Sequence, residues 1–153
     1  MEKQQIYRLQ GMRDVTTHAY RNMNRATEEL KLILSSNNYE VIEPPLLEET
    51  ELFVRKSGGE LTNLLYTFVD PGGHRVSLRP EYTSSVIRHF VQEQESYNLP
   101  VRWQYCGPVF RYDSTQQGGF RQFTQVGAEM VGATGMEADT EIMHLAWSGL
   151  KKI

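Results

Sequence analysis

Apolar side chains recur at helical spacing in three stretches of the chain. Between about Asp14 and Ser36 they return every three or four positions and form one face, which predicts an amphipathic helix. This face consists of Ala19, Met23, Ala26, Leu30, Ile33 and Leu34. The same spacing predicts a second helix from position 83 or 84 to about 94, and a third from about position 137 onwards.

Short apolar runs and alternating apolar and polar residues predict six strands. The turn sequence of residues 70–73 (DPGG) lies between two such runs and indicates a hairpin. Thr50 can cap a short helix over the apolar residues 52–54. The predicted strands are Tyr39–Glu43, Leu64–Val69, Arg75–Leu78, Val101–Cys106, Val109–Asp113 and Phe120–Val131.

The order of these elements predicts the fold class. Helix, strand, hairpin, helix, hairpin and helix give an α+β domain with a mainly antiparallel β-sheet flanked by helices, rather than a doubly wound sheet. A length of 153 residues without repeats or a linker fits one domain.

Composition and charge exclude several classes of protein. An apolar fraction of 39% supports a packed core and excludes bulk disorder. No apolar run approaches the roughly 18 residues of a membrane span, and the start lacks a signal-peptide core, so we expect a soluble cytoplasmic domain. The single cysteine, Cys106, excludes a disulfide scaffold, and the four histidines lack metal-ligand spacing. A net charge of −3 argues against nucleic-acid binding held by bulk charge.

One face of the last predicted strand carries an unusual set of side chains. Because alternate strand residues share a face, Arg121, Phe123, Gln125 and Glu129 point the same way, with Gly127 leaving a gap between them. The opposite face becomes more apolar along the strand and is expected to be the core side. A cation, an aromatic ring, an amide and a carboxylate together are uncommon on a merely solvated surface.

Further charged residues can reach the same cleft. Arg111 and Asp113 share parity across the predicted hairpin, and Arg79 and Glu81 end the preceding hairpin. Arginine can hold phosphate bidentately, and carboxylates can receive an α-amino group, so this face is interpreted as the floor of a site for a ligand with both groups. The alternative is a solvated sheet face with ordinary cross-strand ion pairs.

Two segments resemble motifs of histidyl-tRNA synthetases. Residues 78–83 (LRPEYT) resemble the LRPEGT motif of these enzymes. Residues 107–113 (GPVFRYD), followed by 118–125 (GGFRQFTQ), resemble the class II motif 2, which we place at about 103–131.

The first third of the chain is similar to the same family. Residues 39–53, with Pro45 before LLE, resemble part of motif 1, placed at about 20–48, which in that family forms a helix and strand at the homodimer interface. The opening QGMRD of residues 10–14 also matches the family's start. The resemblance implies that residues 1–153 are the N-terminal part of a class II synthetase-like catalytic domain, and that the chain forms a homodimer.

The resemblance also implies an activity, in which histidine and ATP with Mg²⁺ form histidyl-adenylate for tRNA charging. In such an enzyme Arg111 binds the α-phosphate and is the catalytic residue, and the ATP-binding residues are Arg111, Asp113, Arg121 and Phe123. Asp113 lies by the adenine amino group and Phe123 stacks on the adenine. The histidine-binding residues implied are Glu81, Thr83, Gln125 and Glu129.

The sequence departs from the family pattern at four places. Asp113 stands where the synthetases usually have Glu, Gly119 where they usually have Arg, and Tyr82 where LRPEGT has glycine. The segment between Gly59 and Tyr66 is shorter than the TDIVEKEMY-type segment of the synthetases. The family's RGLDYY-like segment, motif 3 arginine and anticodon-binding domain do not occur in these residues, so we expect a fragment, a truncated product or half of a split protein.

A paralogue offers an alternative function. The regulatory subunit of ATP phosphoribosyltransferase shares this fold, binds histidine as a feedback signal in histidine biosynthesis and assembles with a catalytic subunit, without charging tRNA. The short segment 57–61 and Gly119 favour the regulator, whereas Glu81, Gly107-Pro108 and the run 121–125 favour a synthetase. A third alternative is a dimerisation module that keeps the fold and binds no ligand.

Overall fold

The computed structural model describes residues 5–57, 62–112 and 119–153, and these ranges hold four α-helices and six strands. The helices are α1 (Thr17–Ser36), α2 (Thr50–Ser57), α3 (Thr83–Glu93) and α4 (Met136–Lys152). The strands are β1 (Glu40–Val41), β2 (Leu47–Glu49), β3 (Tyr66–Val69), β4 (Arg75–Leu78), β5 (Val101–Phe110) and β6 (Gln122–Val131). The α+β class predicted from the order of elements is confirmed.

The strands of the described residues form two three-stranded sheets, and most of their pairings are antiparallel, as predicted. In the first sheet, of order β1-β5-β6, β5 and β6 pair antiparallel over ten residues each, and β1 pairs parallel to β5. In the second sheet, of order β2-β4-β3, both pairings are antiparallel. The second sheet consists of the predicted β3–β4 hairpin, to which the three-residue strand β2 is added along the other edge of β4.

The first helix begins and ends at identifiable caps. The Thr16 side chain accepts a hydrogen bond from Ala19 N at 3.4 Å, so α1 starts three residues after the predicted Asp14. At the other end, the backbone N–H of Asn37 donates to the last turn, and Asn38 takes a φ of 65°, which asparagine tolerates better than most residues.

Helices cover both faces of the β5–β6 hairpin. On one face, α1 and α4 enclose a cluster with Leu34, Tyr39 and Leu145 at its centre and Val126 and Met130 of β6 packed against it. On the other face, α3 and the residues before it pack on a second core cluster. Its buried members are Tyr82, Val86, Val101, Trp103, Tyr105 and Val109.

β5 continues through Pro108, although the sequence predicted a break between Cys106 and Val109. Phe110 N donates to Arg79 O at 3.0 Å, so the backbone nitrogen of Phe110 points away from β6. Because N–H directions alternate along a strand, the nitrogen of Pro108, two residues earlier, also points away from β6. Proline lacks an N–H, so no hydrogen bond to β6 is lost there. Because β1 pairs only with positions 103 and 104 of β5, proline interrupts no ladder here.

Candidate ligand-binding face of the long hairpin

The alternation predicted for β6 is confirmed. Val126, Ala128 and Met130 pack against the α1–α4 side, whereas Phe123 and Val131 pack against the α3 side. Gln125 and Glu129 share parity with Phe123. Together with the β5 residues opposite them, they make up the candidate surface for ligand binding that is called the ligand-binding face. Helix α3 and a core cluster cover part of this face.

The end of this face nearest the hairpin loop is cationic. The β5–β6 register pairs Phe110 with Gln122, and Arg111 N donates to Arg121 O at 2.9 Å, so the two arginines occupy opposite positions. The guanidinium carbon of Arg111 lies 5.2 Å from the centroid of the Phe123 ring, and Arg111 Nε donates to Pro80 O at 3.0 Å. Two arginines at opposite backbone positions make this end of the face electropositive, which suits an anionic ligand.

Arg79 is a structural cation and not a cleft residue. Only 1% of it is exposed, and its guanidinium donates to Pro108 O at 3.0 Å, to Pro44 O at 2.8 Å and to Glu43 Oε1 at 2.9 Å. A further hydrogen bond joins it to the Tyr82 hydroxyl. Arg79 therefore ties the end of β4 to β5 and to the segment after β1, and the expectation that it faces the cleft is wrong.

Tyr82 fills the space between the ligand-binding face and the buried arginine. The residue is fully buried, with Arg79 Cζ 3.9 Å from its ring centroid, and burial raises the pKa of its phenol to about 12. A Cβ built on Gly107 would lie 2.1 Å from the Tyr82 hydroxyl, so glycine at 107 makes room for it. The ring is packed as part of the core cluster on this side of the sheet.

The hydroxyl of Tyr105 binds one of the predicted histidine-binding residues. Tyr105 donates to Glu129 Oε1 at 3.1 Å. Burial raises the pKa of Tyr105, and the negative charges of Glu129 and Glu81 raise it further. Its ring lies over Gly127, where an added Cβ would come within 2.5 Å of it. The gap predicted at Gly127 is therefore occupied by a side chain from the neighbouring strand.

Glu81 also has a local role at the start of α3. Its Oε1 accepts hydrogen bonds from Ser84 N at 3.0 Å and from the Ser84 hydroxyl. A carboxylate at a helix N-terminus satisfies an otherwise unpaired backbone N–H and interacts favourably with the helix dipole. This anchoring holds the Glu81 carboxylate beside Thr83 at the edge of the ligand-binding face.

The Gln125 side chain presents a buried acceptor on this face. Its Oε1 has no hydrogen-bond partner within the described ranges. Gln104 Oε1 shares this property but belongs to the opposite face of the sheet, where its amide nitrogen donates to Ser35 Oγ and Tyr39 O, each at 2.7 Å. Since buried polar atoms are nearly always paired in folded proteins, an unpaired acceptor in a candidate cleft indicates a ligand that donates a hydrogen bond.

The remaining site predictions concern residues expected to bind ATP. Asp113 lies outside the described residues. Arg121 and Phe123 lie together at the cationic end of the face, and Gly119, at the position where an arginine was expected from the family pattern, is exposed. The sequence interpretation missed Tyr105, which lies directly opposite Gly127 in the register; only the pairing of β5 with β6 identifies it.

Two further properties concern metal binding and membranes. Among residues 5–57, 62–112 and 119–153, no three His, Cys, Asp or Glu side chains are grouped so that they could hold a metal ion. Within the same ranges, each helix is too short or too polar to cross a membrane.

Solved structures similar to this chain define the class of protein. The apo histidyl-tRNA synthetase of S. aureus gives a TM-score of 0.81 at 29% identity, covering 97% of this chain and 40% of that one. A Bacillus halodurans C protein described as an ATP phosphoribosyltransferase regulatory subunit/histidyl-tRNA synthetase gives 0.85 at 27% identity, covering 99% and 39%. The fold is that of a class II aminoacyl-tRNA synthetase core, represented in part.

Sequence comparison identifies the family. A family model described as histidyl-tRNA synthetase matches residues 11–153. The histidine–tRNA ligase of Methanocorpusculum labreanum is 36% identical over 146 residues, covering 95% of this chain and 36% of the relative. The chloroplastic histidine–tRNA ligase of Gracilaria tenuistipitata var. liui is 37% identical over 149 residues, covering 95% and 35%. The chain belongs to the histidyl-tRNA synthetase family and spans about a third of the length of these curated relatives.

Proposed function

We propose that the ligand-binding face holds ATP and histidine side by side for the formation of histidyl-adenylate, as part of a histidine–tRNA ligase. The support is the order of the side chains along β6. Arg121 and Phe123 lie at the loop end of the face, and Gln125 and Glu129 follow towards the other end. A ligand with a phosphate at one end and an ammonium group at the other matches this order.

The cationic end holds the nucleotide. Arg111 binds the α-phosphate, Arg121 binds neighbouring phosphate oxygens, and the Phe123 ring stacks on the adenine, beside which Asp113 is proposed to lie. No protein-only metal cluster lies within the described ranges. Mg²⁺ typically keeps several waters and binds substrate phosphates with one or two carboxylates, so the ion arrives with ATP.

The acceptor-rich end holds histidine. Glu81, Gln125 and Glu129 accept hydrogen bonds from its nitrogen-bearing groups, and Thr83 lies beside them. The Tyr105 hydroxyl fixes the Glu129 carboxylate at 3.1 Å, and Ser84 fixes that of Glu81. Carboxylates oriented by neighbouring donors before the ligand arrives lose less freedom on binding, which increases affinity.

Adenylate formation needs the histidine carboxylate to attack the α-phosphorus while pyrophosphate leaves. A new carboxyl–phosphorus bond forms, the bond to the pyrophosphate oxygen breaks, and negative charge develops on the α-phosphate oxygens. Arg111 lies at the end of β5 with its Nε held by Pro80 O, so its guanidinium is positioned before that charge appears. A positioned charge of this kind is typically worth roughly 3–4 kcal/mol of the barrier.

The observation that carries the proposal is the unpaired, buried Oε1 of Gln125. It lies on the same face as the Tyr105–Glu129 pair, between that pair and the cationic end. An ammonium or imidazole N–H of histidine satisfies this oxygen, and the loss of an unpaired buried acceptor then contributes to binding.

The test is histidine-dependent exchange of labelled pyrophosphate into ATP, measured on the intact gene product that carries these residues. Exchange above a control without histidine supports adenylate chemistry. Exchange that is equal with and without histidine, or absent although both ligands bind, would contradict it. Arg111→Ala is the matched loss-of-function variant, and Arg55→Ala, which removes an exposed arginine bound to Glu51, is the control.

The regulatory subunit of ATP phosphoribosyltransferase is the second candidate. It is favoured by the exposed Gly119, which provides no side chain for ATP phosphates, and by the Bacillus halodurans C structure, whose description includes both functions. Histidine binding without ATP binding or exchange would favour this candidate, and a co-purifying phosphoribosyltransferase catalytic subunit would then be its partner. Cytoplasmic location remains a prediction from the sequence composition, and tRNA binding and a homodimer remain predictions from the family resemblance.

A further inference from the structure

A strap formed by residues 8–14 lies against the cationic end of the ligand-binding face. Its ends are joined by an exposed ion pair between Arg8 and Asp14, with Nη1 and Oδ2 2.7 Å apart. Within the strap, the guanidinium carbon of Arg13 lies 3.9 Å from the centroid of the Phe120 ring. The strap therefore contacts the chain just before β6 begins.

The tightest contact of the strap is between Gly11 and Arg121. Arg121 N donates to Gly11 O at 2.8 Å. A Cβ built on Gly11 would lie 2.6 Å from Arg121 Cδ, 2.7 Å from Cγ and 2.8 Å from Nε, which is closer than carbon atoms pack. The Arg121 guanidinium carbon lies 4.0 Å from the centroid of the Tyr112 ring. The aliphatic part of Arg121 thus lies on the Gly11 backbone, and its charged end lies over an aromatic ring.

Two independent features require glycine at position 11. Its φ of +79° is in the left-handed region, where other residues are disfavoured. In addition, any side chain would displace the stem of Arg121 or lift the strap. Glycine is therefore the residue that allows the backbone of the strap to reach Arg121.

We propose that Gly11 is a positioning residue for the nucleotide site: its backbone fixes the side chain of Arg121, which stands opposite Arg111 in the backbone pairing, so that the guanidinium binds the phosphates of ATP. This inference rests on the proposed function, because Arg121 is given a phosphate there. It adds the N-terminal strap to the site and makes phosphate affinity depend on a residue that touches no ligand.

The test compares Gly11→Ala with Gly73→Ala in the 153-residue chain, using calorimetric titration with ATP and with adenosine. Gly73 has a similar φ of +87°, but a Cβ there would meet nothing within 4 Å, so it reproduces the backbone strain without the arginine contact. We expect Gly11→Ala to weaken ATP binding about tenfold and to leave adenosine binding unchanged, because the charged hydrogen bonds to phosphate are affected. Unchanged ATP affinity, or an equal loss for adenosine, would overturn the proposal.

A second measurement does not depend on ATP binding. The Nε–Hε signal of Arg121 in the ligand-free chain reports how rigidly this side chain is held. We expect high order in the wild type and in Gly73→Ala, and low order in Gly11→Ala. Equal order in all three proteins would refute the positioning role. A wild-type chain that binds no ATP but shows this difference would contradict the ATP site proposed for this face, while still showing that Gly11 holds the Arg121 side chain.

Discussion

The ring of Tyr82 lies face to face with the ring of Tyr105, with centroids 4.4 Å apart and planes inclined by 5°. The Tyr82 hydroxyl bonds the buried Arg79, and the Tyr105 hydroxyl bonds Glu129. The stack thus connects a buried structural cation to a carboxylate of the proposed histidine site. The tyrosine that replaces the glycine of the family motif supports the site from behind.

Replacing Tyr82 by phenylalanine removes the hydrogen bond to Arg79 and keeps the ring stack on Tyr105. Tyr82→Phe keeps the stack on Tyr105 but leaves one N–H of the buried Arg79 without its partner. We expect the free energy of unfolding to fall by about 1.5 kcal/mol, measured by urea denaturation, with histidine affinity within about twofold of the wild type. Tyr97→Phe, which removes a half-buried hydroxyl bonded to His89 at 2.8 Å, is the control and should cost less. Wild-type stability in Tyr82→Phe would show that the bond to Arg79 contributes nothing.

Removing the unpaired Oε1 of Gln125 should lower histidine affinity without lowering the stability of the fold. Gln125→Met keeps the volume approximately and eliminates the buried acceptor, so we expect the free energy of unfolding to stay level or rise by about 1 kcal/mol. Histidine affinity should fall about tenfold, since a hydrogen bond to a charged donor is lost.

Gln104→Met is the matched control for this variant. Gln104 also has a buried Oε1 without a partner among the described residues, but its amide nitrogen donates to Ser35 Oγ and Tyr39 O, on the side of the sheet away from the site. We expect Gln104→Met to lower stability and to leave histidine affinity unchanged. The reverse pattern, with Gln125→Met destabilised and histidine affinity intact, would assign the Gln125 side chain to the core.

Truncation of Arg111 should affect ATP alone. Arg111→Ala removes one of the two opposed cations, and we expect ATP affinity to drop about 10- to 100-fold, the equivalent of one or two charged hydrogen bonds. Titration calorimetry with ATP and separately with histidine checks this, and Arg111→Lys should restore only part of the affinity because an ammonium cannot bind phosphate bidentately. A parallel loss of histidine affinity would indicate general damage to the hairpin.

Acidification should weaken the contact of α4 with the hairpin. Glu141 accepts from Arg102 Nε at 2.8 Å and Nη2 at 2.9 Å, and from the Tyr39 hydroxyl at 3.0 Å. The bond to Arg102 holds the pKa of Glu141 below its ordinary 4.5. Because a lowered carboxyl pKa stabilises the fold above the unfolded pKa, this stability is present above about pH 4.5 and is lost as the pH falls through the folded value.

Glu141→Gln tests that pH dependence. We expect it to cost about 1 kcal/mol at pH 7 and to flatten the fall in stability below pH 4.5, measured by urea unfolding across pH 3–7. Glu51→Gln, which removes an exposed i,i+4 pair with Arg55, should change neither quantity noticeably. An unchanged acid profile in Glu141→Gln would place the pH dependence elsewhere.

Periodicity predicted the elements whose packing is local. The apolar spacing was sufficient to predict α1, and the DPGG turn was sufficient to predict the β3–β4 hairpin. The alternation along β6 assigned Phe123, Gln125 and Glu129 to one face before any strand pairing was known. These predictions succeeded because a strand or helix residue's direction depends only on the backbone period.

Features that depend on distant partners were not predictable. The contact of Tyr105 with Glu129 follows from the β5–β6 register, and β2 becomes a strand only because β4 lies beside it. Arg79 looks like a cleft cation in the sequence, and only the carbonyls of Pro44 and Pro108 reveal its buried role. The sequence does not connect Gly11 with Arg121, because the two residues lie far apart along the chain and meet only in the fold.

The central claim is that one face of the β5–β6 hairpin holds histidine and ATP in adjacent halves. Amide NMR of the 153-residue chain, titrated with each ligand in turn, tests it most directly. Histidine should shift the signals of Thr83, Tyr105, Gln125 and Glu129, and ATP should shift those of Arg111, Arg121 and Phe123. Absence of shifts at saturating ligand, or shifts confined to the α1–α4 side around Val126 and Met130, would contradict the account.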